Sequence, residues 1–156
     1  DRIITNQKSQ VMKSILIILL FLTVNGVAWA QKPPVFITDN GAIHGYDPVA
    51  FFTEQKAVPG SKEITYEWNG ASWHFASEEN KRTFISDPEK YTPQYGGYCA
   101  FGMSRGYKAP TQPDAWSIVN GKLYFNYNKD VQKEWTKSRD EFIRKADEQW
   151  PTVSKN

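Results

Sequence analysis

Apolar and polar positions alternate with a period of two in four short runs: Ile64–Trp68, Ala71–Phe75, Trp116–Val119 and Lys122–Phe125. Alternation of this kind marks half-buried strands. Asn69-Gly70 separates the first two runs and Asn120-Gly121 the second two. Asn-Gly tolerates positive φ at both turn positions, so the spacing predicts two β-hairpins. Between them Ser77 is placed to cap a helix over Glu78–Ser86, with Phe84 and Ile85 inward and Asp87-Pro88 as its stop. Asp47-Pro48 opens a short helix presenting Val49, Phe51 and Phe52. Val35-Phe36-Ile37 reads as a short strand and Ala57–Lys62 as a loop. Tyr95–Arg105 is expected to form a further helix, stopped by Gly106. At the C-terminal end the period changes to that of a helix. Val131, Trp135, Phe142, Ala146 and Trp150 share one face, and charges occupy the other. Ser138-Arg139-Asp140-Glu141 has the spacing of a capping box, so two helical segments meet near Lys137. Pro151 is expected to end the ordered chain. Hairpins followed by helices, without crossovers, give an α+β class: a small single domain, two β-hairpins, several short helices and a C-terminal helical segment packed on the sheet.

The N-terminal region has a different pattern. Lys13 precedes the apolar run Ile15–Val24, and Gly26-Val27-Ala28-Trp29-Ala30 follows it. A positive start, a short apolar core and a small-x-small site predict a secretory signal peptide over 12–30, cleaved after Ala30. The run falls well short of the ~20 residues that span a bilayer, so no transmembrane helix is expected to be retained. Residues 1–11 are read as an upstream segment outside the fold, and 31–156 as the domain. The product is expected to be exported, periplasmic or extracellular.

This division changes the meaning of the charge. The whole chain carries +2, but Arg2, Lys8 and Lys13 against Asp1 already account for it. The predicted domain is formally neutral and has no Lys/Arg cluster, which excludes nucleic acid as a partner. The one cysteine, Cys99, excludes an internal disulfide. Stability must therefore come from packing, and an aromatic content of 15% supplies bulky material for it.

Several motifs together resemble the YHS domain, a small module known beside metal-handling proteins. They are Asp47-Pro48-Val49, Phe75-Ala76-Ser77, Phe84 and Asp87-Pro88-Glu89-Lys90-Tyr91. Pro93-Gln94-Tyr95-Gly96-Gly97-Tyr98-Cys99-Ala100 and Gly121-Lys122-Leu123-Tyr124-Phe125-Asn126 are similar to a secreted bacterial branch of that family. The resemblance runs from about Ile43 to Trp150. In the metal-linked branch three cysteines follow these motifs, and here the same positions hold Ala50, Ala76 and Asn80. Alanine cannot ligate and asparagine offers a neutral, hard oxygen, whereas soft metals need thiolate, thioether or imidazole.

A replacement donor set can be assembled from Cys99, His74 and Met103. On a helix Cys99 and Met103 would share a face, and with the His74 ring they would suit copper ahead of iron. His44 is a further imidazole. Each residue has a plain structural use as well: Cys99 as a small buried hydrophobe, Met103 as core filler, His74 as a strand residue. Cys99 activated by His74 is the enzymatic version of the same pair, but no third residue orients it. A separate route to function is a cleft lined by Tyr46, Trp73, Tyr95 and Tyr98. It would take a flat or apolar ligand such as haem or a sugar ring, and the Gly96-Gly97 backbone could present N–H groups to an anion or simply form a tight turn. The leading expectation is a non-catalytic binding module for a metal ion or metal-bearing cofactor. The alternative is a small-molecule or protein-interaction module with an aromatic cleft and a structural Cys99.

Overall fold

The computed structural model describes residues 32–156; the predicted leader and the segment before it lie outside the described residues. In chain order the elements are β1 (Ile37–Thr38), β2 (Gly41–Ala42), α1 (Ala50–Thr53), β3 (Ser61–Trp68) and β4 (Ala71–Phe75). Then come α2 (Glu78–Ser86), α3 (Pro88–Tyr91), α4 (Ala100–Met103), β5 (Trp116–Val119) and β6 (Lys122–Phe125). The chain closes with α5 (Lys129–Lys137) and α6 (Arg139–Val153). The strands pair only as antiparallel hairpins, β1–β2, β3–β4 and β5–β6. This is the predicted α+β class, with one small hairpin more than the sequence suggested.

Both Asn-Gly turns do what their residues allow. Asn69 and Gly70 have φ of 51° and 73°, and Asn120 and Gly121 have 50° and 73°. Paired positive φ values twist a two-residue turn in the same sense as the strands it joins. Along β6 the alternation divides the interior in two. Leu123 and Phe125 enter a core with Phe51, Trp73, Phe75 and Phe84. Tyr124 faces the other way, into a second core with Tyr95, Met103, Trp135 and Ala146. The first is held by edge-to-face rings, such as Phe51 on Phe125 at 5.2 Å between centroids.

A buried carboxylate ties the first core together. Asp47 is fully buried, and each of its oxygens accepts two hydrogen bonds. Oδ1 takes the backbone N–H of Val49 at 2.9 Å and of Ala50 at 3.4 Å, at the start of α1. Oδ2 takes the N–H of Ala76 at 2.8 Å, just past β4, and the Asn80 side-chain amide at 2.7 Å, in α2. Burial of a charge is tolerable only with such full satisfaction. Asp47 thus joins three elements rather than capping one.

Two left-handed turns flank the segment Val35–Phe36. One is Ile43–Gly45, where Ile43 and His44 have φ of 45° and 61°. The other contains Tyr95, Gly96 and Gly97 at 56°, 62° and 86°. Phe36 N–H donates to Gly96 O at 2.8 Å, and Ile43 N–H to Phe36 O at 3.1 Å. Left-handed backbone costs a residue with a side chain about 1–2 kcal/mol, so packing on the Val35–Phe36 segment must hold these conformations. This turn displaces most of the helix expected over Tyr95–Arg105. Only Ala100–Met103 is helical, because the Gly96-Gly97 backbone follows the extended chain at Pro34 and Val35 instead.

Other expectations shift by smaller amounts. The first strand is Ile37–Thr38 rather than Val35–Ile37, because Phe36 bonds to the two turns. Ile85 is 43% exposed, since it lies about 100° around α2 from the inward Phe84. Ser77 caps α2 as expected, accepting from Asn80 N–H at 3.1 Å. Ser138 precedes α6 but makes no side-chain cap bond. Pro151 lies inside α6, which continues to Val153 with Ser154 N–H on Trp150 O at 2.8 Å. A proline in the last turn removes a single bond there, so the helix persists past it.

The ends of the described chain meet at Lys108. Its ammonium donates to Lys32 O at 2.7 Å, Asn156 O at 3.0 Å and Ser154 O at 3.4 Å. Lys32 answers with a bond to Lys108 O at 2.8 Å.

Asp47→Ala would orphan four donors and is expected to destabilise the fold by about 3 kcal/mol or more, read as a lower urea midpoint. Asp47→Asn is expected to cost nearly as much, because its NH2 must face one of the two donor pairs. Gly96→Ala would place a methyl against the Pro34 carbonyl and is expected to cost more than ~2 kcal/mol. A thermal midpoint unchanged by Gly96→Ala would show that the turn yields easily.

Candidate functional site

Ala50, Ala76 and Asn80 converge on one group, the Asp47 carboxylate. Ala50 and Ala76 donate their backbone N–H groups to Asp47, and Asn80 donates its side-chain amide. The carboxylate occupies the centre that a ligand set would surround, and its four acceptor positions are filled. These residues do not fit a metal: they supply no soft donor and leave no free lone pair of the carboxylate.

The replacement set of Cys99, Met103 and His74 finds three different surroundings. Cys99 is 2% exposed, and its sulfur accepts from Gly102 N–H at 3.4 Å and lies 3.7 Å from Asn126 Oδ1. It sits at the start of α4, and a bridge to Phe125 ties its backbone to β6. Burial pushes the thiol above its usual range, against the pull of backbone N–H groups from Gly102, Tyr127 and Phe101. Nucleophiles and thiolate ligands need the opposite shift. Met103 bonds backbone to backbone with Cys99 but packs its side chain into the second core. His74 lies on β4 with its ring under β2 and the first left-handed turn. A Cβ on Gly41 would fall 3.0 Å from its Nε2, and one on Gly45 3.1 Å from its Nδ1. Burial, helped by Lys62, holds its pKa below the usual histidine value, so the ring is neutral at pH 7. His44 hydrogen-bonds Thr111 O through Nε2 at 2.6 Å and sets its ring edge-on to Phe36. Among the described residues no three of His, Cys, Asp or Glu are grouped as metal ligands.

The aromatic candidates separate similarly. Trp73 is fully buried and donates its indole N–H to Trp68 O at 3.0 Å. Tyr46 is half-buried against the first core, and its backbone bridges to Pro59. Tyr98 donates to Pro33 O at 2.8 Å and packs on Phe36. Gly97 O accepts from Thr111 at 2.8 Å. Tyr95 differs in lining a surface recess, although it is itself only 3% exposed. Its hydroxyl donates to Asp147 at 2.9 Å, and burial with that carboxylate drives its pKa far up. Tyr95, Trp68 and Trp150 are among the residues lining a cleft of about 360 Å³.

Tyr46, Trp73, Gly97 and Tyr98 do not line that cleft. Its polar rim comes from Asn69 in the first hairpin turn, from Glu89 in α3, and from Thr92 and Gln94. Trp68 is held by edge-to-face contacts with Trp73 and Phe84, at 6.3 and 5.9 Å. Trp150 stands edge-on to Tyr95 at 6.1 Å. Both tryptophans are half-buried. Trp150 had been assigned only to the buried stripe of the C-terminal helix. Its position beside Pro151 near the end of that stripe was the one available hint. Neither histidine, nor Cys99, nor Met103 lines the cleft.

No curated protein matches this sequence, and no solved structure does. One family model matches, over a segment that holds Ala50, Ala76 and Asn80 together with Trp68, Asn69, Glu89 and Tyr95 from the cleft. Residues 49–95 are similar to the YHS domain, and that match supports the YHS family for this part of the chain.

Proposed function

We propose that this chain is an exported, non-catalytic binding module that takes a small ligand in the cleft between Trp68, Tyr95 and Trp150. The leader pattern over 12–30 supports export, and the YHS match supports a binding rather than a catalytic role. The observation that carries the reading is the cleft itself. Trp68 and Trp150, both partly buried, line a 360 Å³ recess that none of Cys99, Met103, His44 and His74 lines. The volume is near the low end of the ~300–1,000 Å³ usual for small-ligand sites. YHS domains are associated with copper, and that role would here depend on Cys99 with His74 and Met103. The buried, hydrogen-bonded thiol speaks against it, and also against a Cys99 nucleophile.

Two measurements separate these readings. Cys99 is expected to resist thiol reagents at neutral pH until denaturant is added. Copper(I) titration under reducing conditions is expected to leave no stoichiometric site after dialysis. One copper retained per chain, and lost in Cys99→Ala, would return the metal reading to first place. For the cleft, a fragment library is screened by following the indole N–H resonances of the five tryptophans of the predicted domain, Trp68, Trp73, Trp116, Trp135 and Trp150. Hits are expected to move Trp68 and Trp150 and to leave Trp73 and Trp135 unmoved. Hits that bypass Trp68 and Trp150, or none at all, would remove the cleft as the binding site.

A further inference from the structure

The leader pattern bears on more than export, because it also sets which residue comes first in the exported chain. We propose that this residue, Gln31, becomes a pyroglutamate, its α-amine closing onto its own side chain beside the Lys32 and Lys108 ammonium groups. This rests on export with cleavage after Ala30, and goes on to name the modification that follows.

The step needs no second molecule. The uncharged α-amine nitrogen attacks the side-chain amide carbon, Cδ. A new C–N bond forms, the bond from Cδ to Nε2 breaks, and a proton of the amine leaves with that nitrogen as ammonia. The product is an uncharged γ-lactam. Nucleophile and electrophile belong to one residue, so the reaction has the advantage of a tethered pair.

The chain next to Gln31 is held in place. Lys32 O accepts from the Lys108 ammonium at 2.7 Å, and the Lys32 ammonium donates to Lys108 O at 2.8 Å. Pro33 O accepts from the Tyr98 hydroxyl at 2.8 Å, and Val35 is buried. The domain is thus anchored from Lys32 onward, so cleavage after Ala30 leaves Gln31 alone ahead of it. Lys32, Pro33 and Pro34 are exposed, which puts that starting point at the surface.

Two positive charges stand there. The carbonyl that binds the Lys108 ammonium belongs to the residue bonded to Gln31, and Lys32 carries the second charge itself. Among the described residues no Asp or Glu side chain pairs with either. A protonated α-amine would add a third positive charge, at a range that salt screens only in part. Repulsion between like charges favours the uncharged amine, which is the form that attacks.

The competing internal reaction is disfavoured. Attack on the Lys32 carbonyl would expel the first two residues as a cyclic dipeptide, and it needs a cis Gln31–Lys32 bond. With lysine rather than proline in second place, that bond is strongly trans. The same carbonyl is also tied to Lys108 in the folded domain.

The test expresses the whole chain with its leader in an exporting host and holds the exported product at neutral pH for several days. Intact mass and N-terminal sequencing are followed throughout. The expected product starts at Gln31, weighs one ammonia less than residues 31–156 and is blocked to N-terminal sequencing. Pyroglutamyl aminopeptidase is expected to unblock it, after which Lys32-Pro33-Pro34-Val35 is read. Gln31→Asn is expected to keep its free amine, and Lys32→Glu to close severalfold more slowly. A free amine that persists on Gln31 overturns the modification and leaves export standing. A loss of ammonia that maps to Asn69-Gly70 or Asn120-Gly121, whose succinimides give the same mass, overturns it too. Closure of Lys32→Glu at the unaltered rate overturns the part assigned to the ammonium pair. A product that starts elsewhere, or is never exported, removes the leader reading and the modification with it.

Discussion

The Asp47 carboxylate is the interaction on which the rest of the structure depends. Its two oxygens hold the start of α1, the end of β4 and the first turn of α2, three pieces that are 29 to 33 residues apart or adjacent to it in sequence. The first core is built from these same pieces, since Phe51, Phe75 and Phe84 come from α1, β4 and α2. Without a common acceptor their backbone donors would be buried or half-buried and unpaired. Aromatic packing alone does not fix relative orientation closely. A four-bonded carboxylate does, because each bond is directional. Ala76 and Ala50 contribute only their backbone, and Asn80 contributes its side-chain amide.

The cleft belongs to a different level of organisation. Trp68, Asn69, Glu89 and Tyr95 fall in the YHS-matching segment, whereas Pro34, Val35 and Trp150 come from either side of it. The left-handed turn at Tyr95–Gly97 makes this joining possible by admitting the Val35–Phe36 segment alongside. Tyr95 then reaches α6 through Asp147, which sets Trp150 beside it. The recess therefore arises where later elements close on the matched segment, and no short motif contains it.

What could be read from the sequence follows the range of the forces involved. Both Asn-Gly hairpins, the Ser77 cap and the break near Lys137 are set by residues within a few positions of one another, and each was legible. The helix expected over Tyr95–Arg105 failed because a distant partner, Pro34 to Phe36, holds the glycines in another conformation. Asp47 was recognised as a local cap, and its bonds to Ala76 and Asn80 were invisible because nothing in the sequence connects those positions. Cys99, His74 and Met103 are correct as donor types, but no periodicity reports that they face three different interiors. Of the aromatic candidates Tyr46, Trp73, Tyr95 and Tyr98, Tyr95 is the one that lines the cleft. Trp68 and Trp150 look like ordinary strand and helix aromatics until the fold brings both to one recess.

A last consequence lies in Lys108. One ammonium gathers carbonyls from Lys32, Ser154 and Asn156, so the chain enters and leaves the domain at a single corner. A body whose entry and exit coincide can be spliced into a surface loop of a host protein without stretching either partner. In an insertion of this kind the recognition surface would travel as cargo, and its orientation would be governed by the junction alone.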